Sequence, residues 1–216
     1  MEDRITPCLY LEMTDLPADL YAKERARELR SSAGADRVTW WENCAPNRED
    51  LPRELPEFHT LGVVEAGVGF SPPATPDGVT SHLFHMTPRP GQGTISGRTT
   101  RGLELVLISP RDPQKAQALR DWGDFVHIHD IAAAAAPHFT MITPYENARS
   151  DRPRYMHFYE LDTDDPEPAF REMTPATVRY QEKAAGAGAH TWDEWFVHPE
   201  LVIEYVNTFR LLGEHQ

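Results

Sequence analysis

Two short runs rich in apolar residues read as strands and resemble one another: CLYLEMT at 8–14 and GLELVLIS at 102–109. Each is followed by a proline and then by helical spacing. After the first run, the apolar set is Leu16, Leu20, Ala22, Ala26 and Leu29, whose intervals of three and four fit an amphipathic helix. After the second, Ala116, Leu119, Phe125 and Ile128 play the same part, and Asp112 before Pro113 pairs an N-cap with a first-turn proline. Strand signals rich in Thr, aromatic and β-branched residues then follow in both places, DRVTWWEN (36–43) and HFTMITPYEN (138–147). A charged, proline-containing loop comes next in each half, and then another strand, EFHTLGVVEA (57–66) or PRYMHFYELD (153–162).

The second half continues with a helix over about 166–185, ended by Gly186 and Gly188, and a strand over 200–212. That order, β-α-β-β-α-β, is the split pattern of ferredoxin-like domains. In the first half, residues 70–93 hold too many breakers for a second long helix, so 79–87 reads as its last strand and 88–102 as a linker. Matching segments lie about 95–100 residues apart, too far for a solenoid and consistent with duplication of one small domain. The expectation is an α+β protein of two ferredoxin-like repeats, residues 1–93 and 100–216, which form a dimeric-type α+β barrel within one chain. Facing sheets would each cover the bare face of the other, and the space between them would be the pocket.

Composition narrows the partners. The 216 residues include 40% hydrophobic and 10% aromatic side chains, enough for a packed core. A formal net charge of -13 repels phosphate backbones and anionic lipid, so the expected partner is a small molecule rather than nucleic acid or membrane. Only Cys8 and Cys44 are present and no long apolar run occurs, which reads as a cytoplasmic protein in a reducing compartment. A homodimer remains compatible with this picture.

DWGDFVHIHDIAAAAAPHF (121–139) is the densest chemical stretch. With Trp122, His127, Ile128, Pro137 and Tyr145, and with Tyr155, Tyr159, Glu160 and Leu161 on the next strand, the second half resembles the EthD-like branch of the dimeric α+β barrel superfamily. It departs from that pattern at His129 and His138, and Arg25 stands about where the first half would carry the histidine. The resemblance implies the fold, and an enzyme on an apolar, aromatic or polyketide-like molecule. The superfamily spans cofactor-free oxygenases, decarboxylases, cyclases, isomerases and haem proteins, so no one reaction follows from it.

Read on the residues themselves, His127 and His129 share a face on a strand but point about 200° apart on a helix, so a helical register speaks against a shared metal ion and no metal is expected. His127 is the candidate proton-transfer residue, with Asp130 three positions on to orient it. The alternative has His127 bracing the helix end. Tyr155, His157 and Tyr159 share one face of their strand and form a candidate ring-binding wall, against a reading as plain core. Trp41, His59, Trp122 and His138 complete the candidate binding set. No organic cofactor is expected; haem, on His127 or His138, is the exception the resemblance leaves open. His190, Trp192, Trp195 and His198 form either a lid over the pocket or a flap on the core.

Overall fold

The computed structural model describes residues 5–89, 91–94, 97–185 and 189–215. Its strands are β1 (Cys8–Thr14), β2 (Ala35–Asn43), β3 (Thr60–Ala66), β4 (Val79–Met86), β5 (Gln92–Gly93), β6 (Gly102–Pro110), β7 (Phe139–Asn147), β8 (Tyr155–Leu161) and β9 (Leu201–His215). The order across the sheet is β4-β1-β3-β2-β9-β6-β8-β7-β5, every pairing is antiparallel, and a further β4–β7 pairing closes the ring. Within each half the spatial order is fourth, first, third, second, the ferredoxin-like arrangement, and the second strand of each half pairs with the last strand of the other. The fold is therefore an α+β barrel of two ferredoxin-like sheets. Closure removes the free edges that two open sheets would expose.

Among the described residues, four helical stretches cover the outside. The first, α1, joins Ala18–Leu20, a π-helical turn at Tyr21–Arg25 and Ala26–Arg30. The second, α2, joins a 3-10 turn at Pro113–Lys115, Ala116–Trp122, a π-helical turn at Gly123–His127 and Ile128–Ala133. Asp112 caps α2 by accepting from the Gln114 N–H, as its place before Pro113 suggests. Pro166–Ala184 forms α3 and Trp192–Phe196 forms α4, which carries a complete capping box between Thr191 and Glu194. The glycines assigned to the end of α3, Gly186 and Gly188, lie outside the described residues. The region before β4 holds no helix among the described residues, in keeping with its prolines.

The barrel interior is where the structure departs from expectation. Alternate residues of β1 and β6, Leu9, Leu11, Met13 and Leu103, Leu105, Leu107, point inward and meet Trp41, Leu61, Val63, Met156, Phe158, Tyr205 and Phe209 in one buried cluster. Large buried side chains occupy the space between the sheets, so that space is hydrophobic core. The opposite residues of the same strands, Val106, Ile108, Tyr155 and Tyr159, form a second cluster with Leu119, Trp122, Ile128, Met173 and Trp195 of the overlying helices. The cavity lies in this outer layer.

Candidate functional site

A cavity of about 570 Å³ lies between the outer face of the C-terminal sheet and its helices. That is within the range of small-molecule sites, roughly 300–1,000 Å³. Its walls are mostly apolar: Val106 and Ile108 of β6, Leu201, Ile203 and Val206 of β9, and Phe170 and Met173 of α3. Phe196, Val197, His198 and Pro199 roof one side. The core alternative holds for Trp195 of α4, and His198 lines the cavity. Trp195 is buried in the core, while Phe196 and Val197 stay exposed at the cavity's rim.

Four polar or aromatic candidates converge here: Trp122, His127, His157 and Tyr159. His127 ends the π-helical turn, and its ring lies between indoles, 4.9 Å from Trp122 and stacked 5.4 Å from Trp195. Its Nδ1 sits 3.1 Å from the Trp195 carbonyl, and Trp195 Nε1 donates back to the His127 carbonyl at 3.0 Å. A carbonyl can only accept, so Nδ1 carries the proton and Nε2 is the free lone pair. Burial, and then the nearby His157, push the imidazole down to about 4, so it is neutral at neutral pH.

His157 is buried, stacked 6.4 Å from His127, with its Nε2 3.6 Å from Asp124 Oδ1. Asp124 in turn faces Arg89 and Arg120. The acid beside a cavity histidine is therefore Asp124, which the sequence reading passed over. Tyr159 is fully buried, and burial followed by the nearby Glu104 raises its hydroxyl well above the usual range.

Glu104 is the other residue the sequence reading missed. It borders the cavity from β6, is 1% exposed, and its Oε2 has no hydrogen-bond partner among the described residues. Burial raises its carboxyl to about 8, with Glu167 adding to the rise and Arg48 opposing it. It is thus a protonated acid at neutral pH, able to donate into an apolar cavity. The signal was present in GLELVLIS: one carboxylate on the face of a strand otherwise made for burial.

The remaining candidates lie elsewhere. Trp41 is fully buried in the barrel interior, where Nε1 donates to Thr39 Oγ1. His59 is exposed and bonded to Asp15, and His138 is exposed and bonded to Asp162 at the start of β7, so His138 cannot serve haem in this cavity. Tyr155 shares the outer face of β8 but its hydroxyl donates to the Ala116 carbonyl, tying α2 to the sheet. Asp130 is fully buried and accepts from His129, His190 and Gln181 rather than from His127.

The corresponding place in the N-terminal half is closed. Arg25 ends the π-helical turn of α1 as His127 ends that of α2. Its guanidinium, Nε at 3.0 Å, binds the fully buried Glu12 of β1, which also accepts from Tyr10 and Tyr21. Pairing within each sheet sets Glu12 opposite Gly62, and Val106 opposite His157. Small and large have changed places between the two layers. A Cβ on Gly62 would meet Tyr21 Oη at 1.8 Å, whereas a Cβ on Gly123 would meet His157 Cε1 at 3.0 Å. Where the first half fills the gap from the helix with Tyr21, the second uses Gly123 to make room for His157 on the strand. Replacing Gly123 with leucine is therefore expected to displace His157 and cost about 1–3 kcal/mol in a thermal melt; unchanged stability would contradict this packing.

No family model matches the chain, and no curated protein matches it. Solved structures do. A putative monooxygenase from Fusobacterium nucleatum aligns over 97% of this chain and 94% of its own at a TM-score of 0.52, with 6% identity. A major regulator of staphylococcal pathogenesis aligns over 95% and 99% at 0.50, with 9% identity. At these identities the likeness shows the fold, an α+β barrel shared along nearly the whole of all three chains.

Proposed function

We propose that the outer cavity of the C-terminal half takes up a small, largely apolar, ring-bearing molecule, of aromatic or polyketide type, and that His127 moves a proton on it without an organic cofactor. The observation that carries this reading is the neutral imidazole with Nδ1 held by the Trp195 carbonyl and Nε2 unpaired in an apolar cavity of about 570 Å³. Nε2 would accept a proton from an acidic O–H or C–H of the molecule and become imidazolium. The Trp195 carbonyl would keep the Nδ1–H, and the neighbouring indoles would offset part of the burial that disfavours the cation. Glu104, protonated, would donate to the oxygen that gains charge. The putative monooxygenase of the same fold agrees with a small-molecule role and says nothing finer.

The paired π-helical turns and matching strand orders support duplication of one ancestor, with one site kept and one filled by Tyr21, Arg25 and Glu12; the likeness of that ancestor to the EthD-like branch rests on the motif residues of the second half alone. A second reading, haem held by His127, is compatible with the same tautomer, since a ligating histidine commonly donates its other N–H to a carbonyl, a carboxylate or water. His127 would hold the haem through Nε2, and the haem would supply redox chemistry to the cavity.

The test uses a cyclic aryl ketone, whose α-C–H exchanges slowly without a catalyst, in deuterated buffer. The wild-type protein is expected to speed exchange of the acidic C–H, and His127→Ala to lose about 10²–10⁴-fold of that acceleration. Val206→Trp, which fills the cavity, should abolish binding. A His127→Ala variant as active as wild type would sink the proton-transfer role. A Soret band on adding hemin, lost in His127→Ala, would favour the haem reading instead.

A further inference from the structure

His129 and His127 are two residues apart on a helix and so serve different places. His127 turns to the cavity, while His129 turns to Asp130 and His190. His129 Nδ1 is 3.1 Å and His190 Nδ1 is 3.0 Å from the same oxygen, Asp130 Oδ1. The three donor atoms all lie within 4.8 Å of one another. We propose that His129, Asp130 and His190 form a binding site for one divalent transition-metal ion of the zinc class.

The geometry suits such an ion. Donors each about 2.0–2.1 Å from a tetrahedral metal are about 3.3 Å apart; each imidazole already stands near that distance from Asp130 Oδ1, and an ion would draw the two imidazoles together from a separation within 4.8 Å. Two imidazoles and one carboxylate favour zinc, cobalt or nickel over calcium or magnesium, which prefer oxygen alone. The carboxylate is pre-oriented: its other oxygen, Oδ2, accepts from Gln181 Nε2 at 3.0 Å and from the His190 backbone N–H at 3.2 Å. Such outer contacts aim a ligating carboxylate. Asp130 is fully buried, whereas the His129 and His190 side chains are 44% and 29% exposed, so the ion has a way in and water can complete its shell.

The site would have a structural consequence. It joins the end of α2 to the segment leading into α4, and through Gln181 to α3. These elements enclose the cavity, but the proposal stands whether or not the cavity is catalytic. An ion here would clamp the roof to the helix beneath it.

The experiment uses untagged full-length protein freed of metal with a chelator. Zinc titrated in a calorimeter is expected to bind one ion per chain, and cobalt to give visible absorption bands of a low-symmetry N₂O site. Zinc at a hundredfold excess over its Kd should raise Tm by about 5–10 °C. His129→Ala and His190→Ala should each weaken zinc binding by at least the roughly 10–100-fold that losing an outer-sphere partner costs. His59→Ala and His138→Ala, which alter exposed histidines elsewhere, should leave it unchanged. Absence of saturable zinc binding by the wild type would overturn the proposal, as would equal binding by His129→Ala and His190→Ala. Because the readouts are binding and Tm of variants at partly exposed positions, neither a folding defect from loss of Asp130 nor failure of the proton-transfer reading bears on the outcome.

Discussion

Replacing Arg25 with alanine is expected to cost about 3–5 kcal/mol of stability, because it strands a buried carboxylate without its counter-charge. Glu12 is fully buried on β1, and Arg25 supplies its compensating charge, Nε lying 3.0 Å from each carboxylate oxygen. Tyr10 and Tyr21 add neutral hydrogen bonds at 3.0 and 3.1 Å, which cannot replace a cation. Without Arg25 the carboxylate must remain charged in a dry layer or take up a proton, and either is unfavourable. Chemical denaturation at neutral pH is the direct measurement, and a loss under 1 kcal/mol would refute the account. Pairing the change with Glu12→Leu, as Arg25→Met/Glu12→Leu, should recover part of the loss, because no buried charge is left uncompensated, while the buried Tyr21 hydroxyl, which loses its acceptor, keeps the rescue incomplete. That recovery would show that the fold of the closed half does not depend on the buried charge pair.

The order of elements was legible because each leaves a local trace. Strands β1 and β6 carry apolar runs, α1 and α2 carry three-and-four spacing, and breakers at 70–78 rule out a helix there. The alternation on β8 was also legible: Tyr155, His157 and Tyr159 do share a face, opposite Met156 and Phe158. What alternation could not tell is which face meets a cavity, because β8 is buried on both sides. Interior volume depends on the side chains of all the strands together, and Trp41, Phe158, Tyr205 and Phe209 fill it. The pairing of His129 with His190 spans a separation in sequence that no local spacing encodes. A regular helix sets Asp130 on the face of His127, but its carboxylate goes to His129, His190 and Gln181, because α3 and the segment before α4 offer it partners that sequence spacing does not encode.

The buried acid gives the second large effect, and its sign is opposite to that of most carboxylates. Glu104 titrates near 8 in the folded chain and near its ordinary 4.5 when unfolded. Below pH 4.5 both states hold the proton and Glu104 contributes no pH dependence. Between about 4.5 and 8 the unfolded chain ionises while the folded one does not, so stability falls, by a few kcal/mol in all, and then levels off. The groups around it, Arg48, Glu167 and Tyr159, keep their roles in Glu104→Gln, which retains the shape and removes only the ionisation. The difference between the two proteins is therefore the proper readout. The wild-type curve alone would mislead, since burial holds His82, His127 and His198 below their usual range and these add stability as pH rises towards 6.5. Denaturant midpoints taken from pH 5 to 8.5 should show Glu104→Gln gaining on the wild type throughout that window. Parallel curves would mean that Glu104 is ionised in the folded protein, and its part as a hydrogen-bond donor to a bound oxygen would fall with them. If the curves diverge as expected, a ligand that accepts from Glu104 should also bind the wild type more weakly above pH 8, and the variant equally at both ends of the range, because only a carboxyl that keeps its proton can donate it.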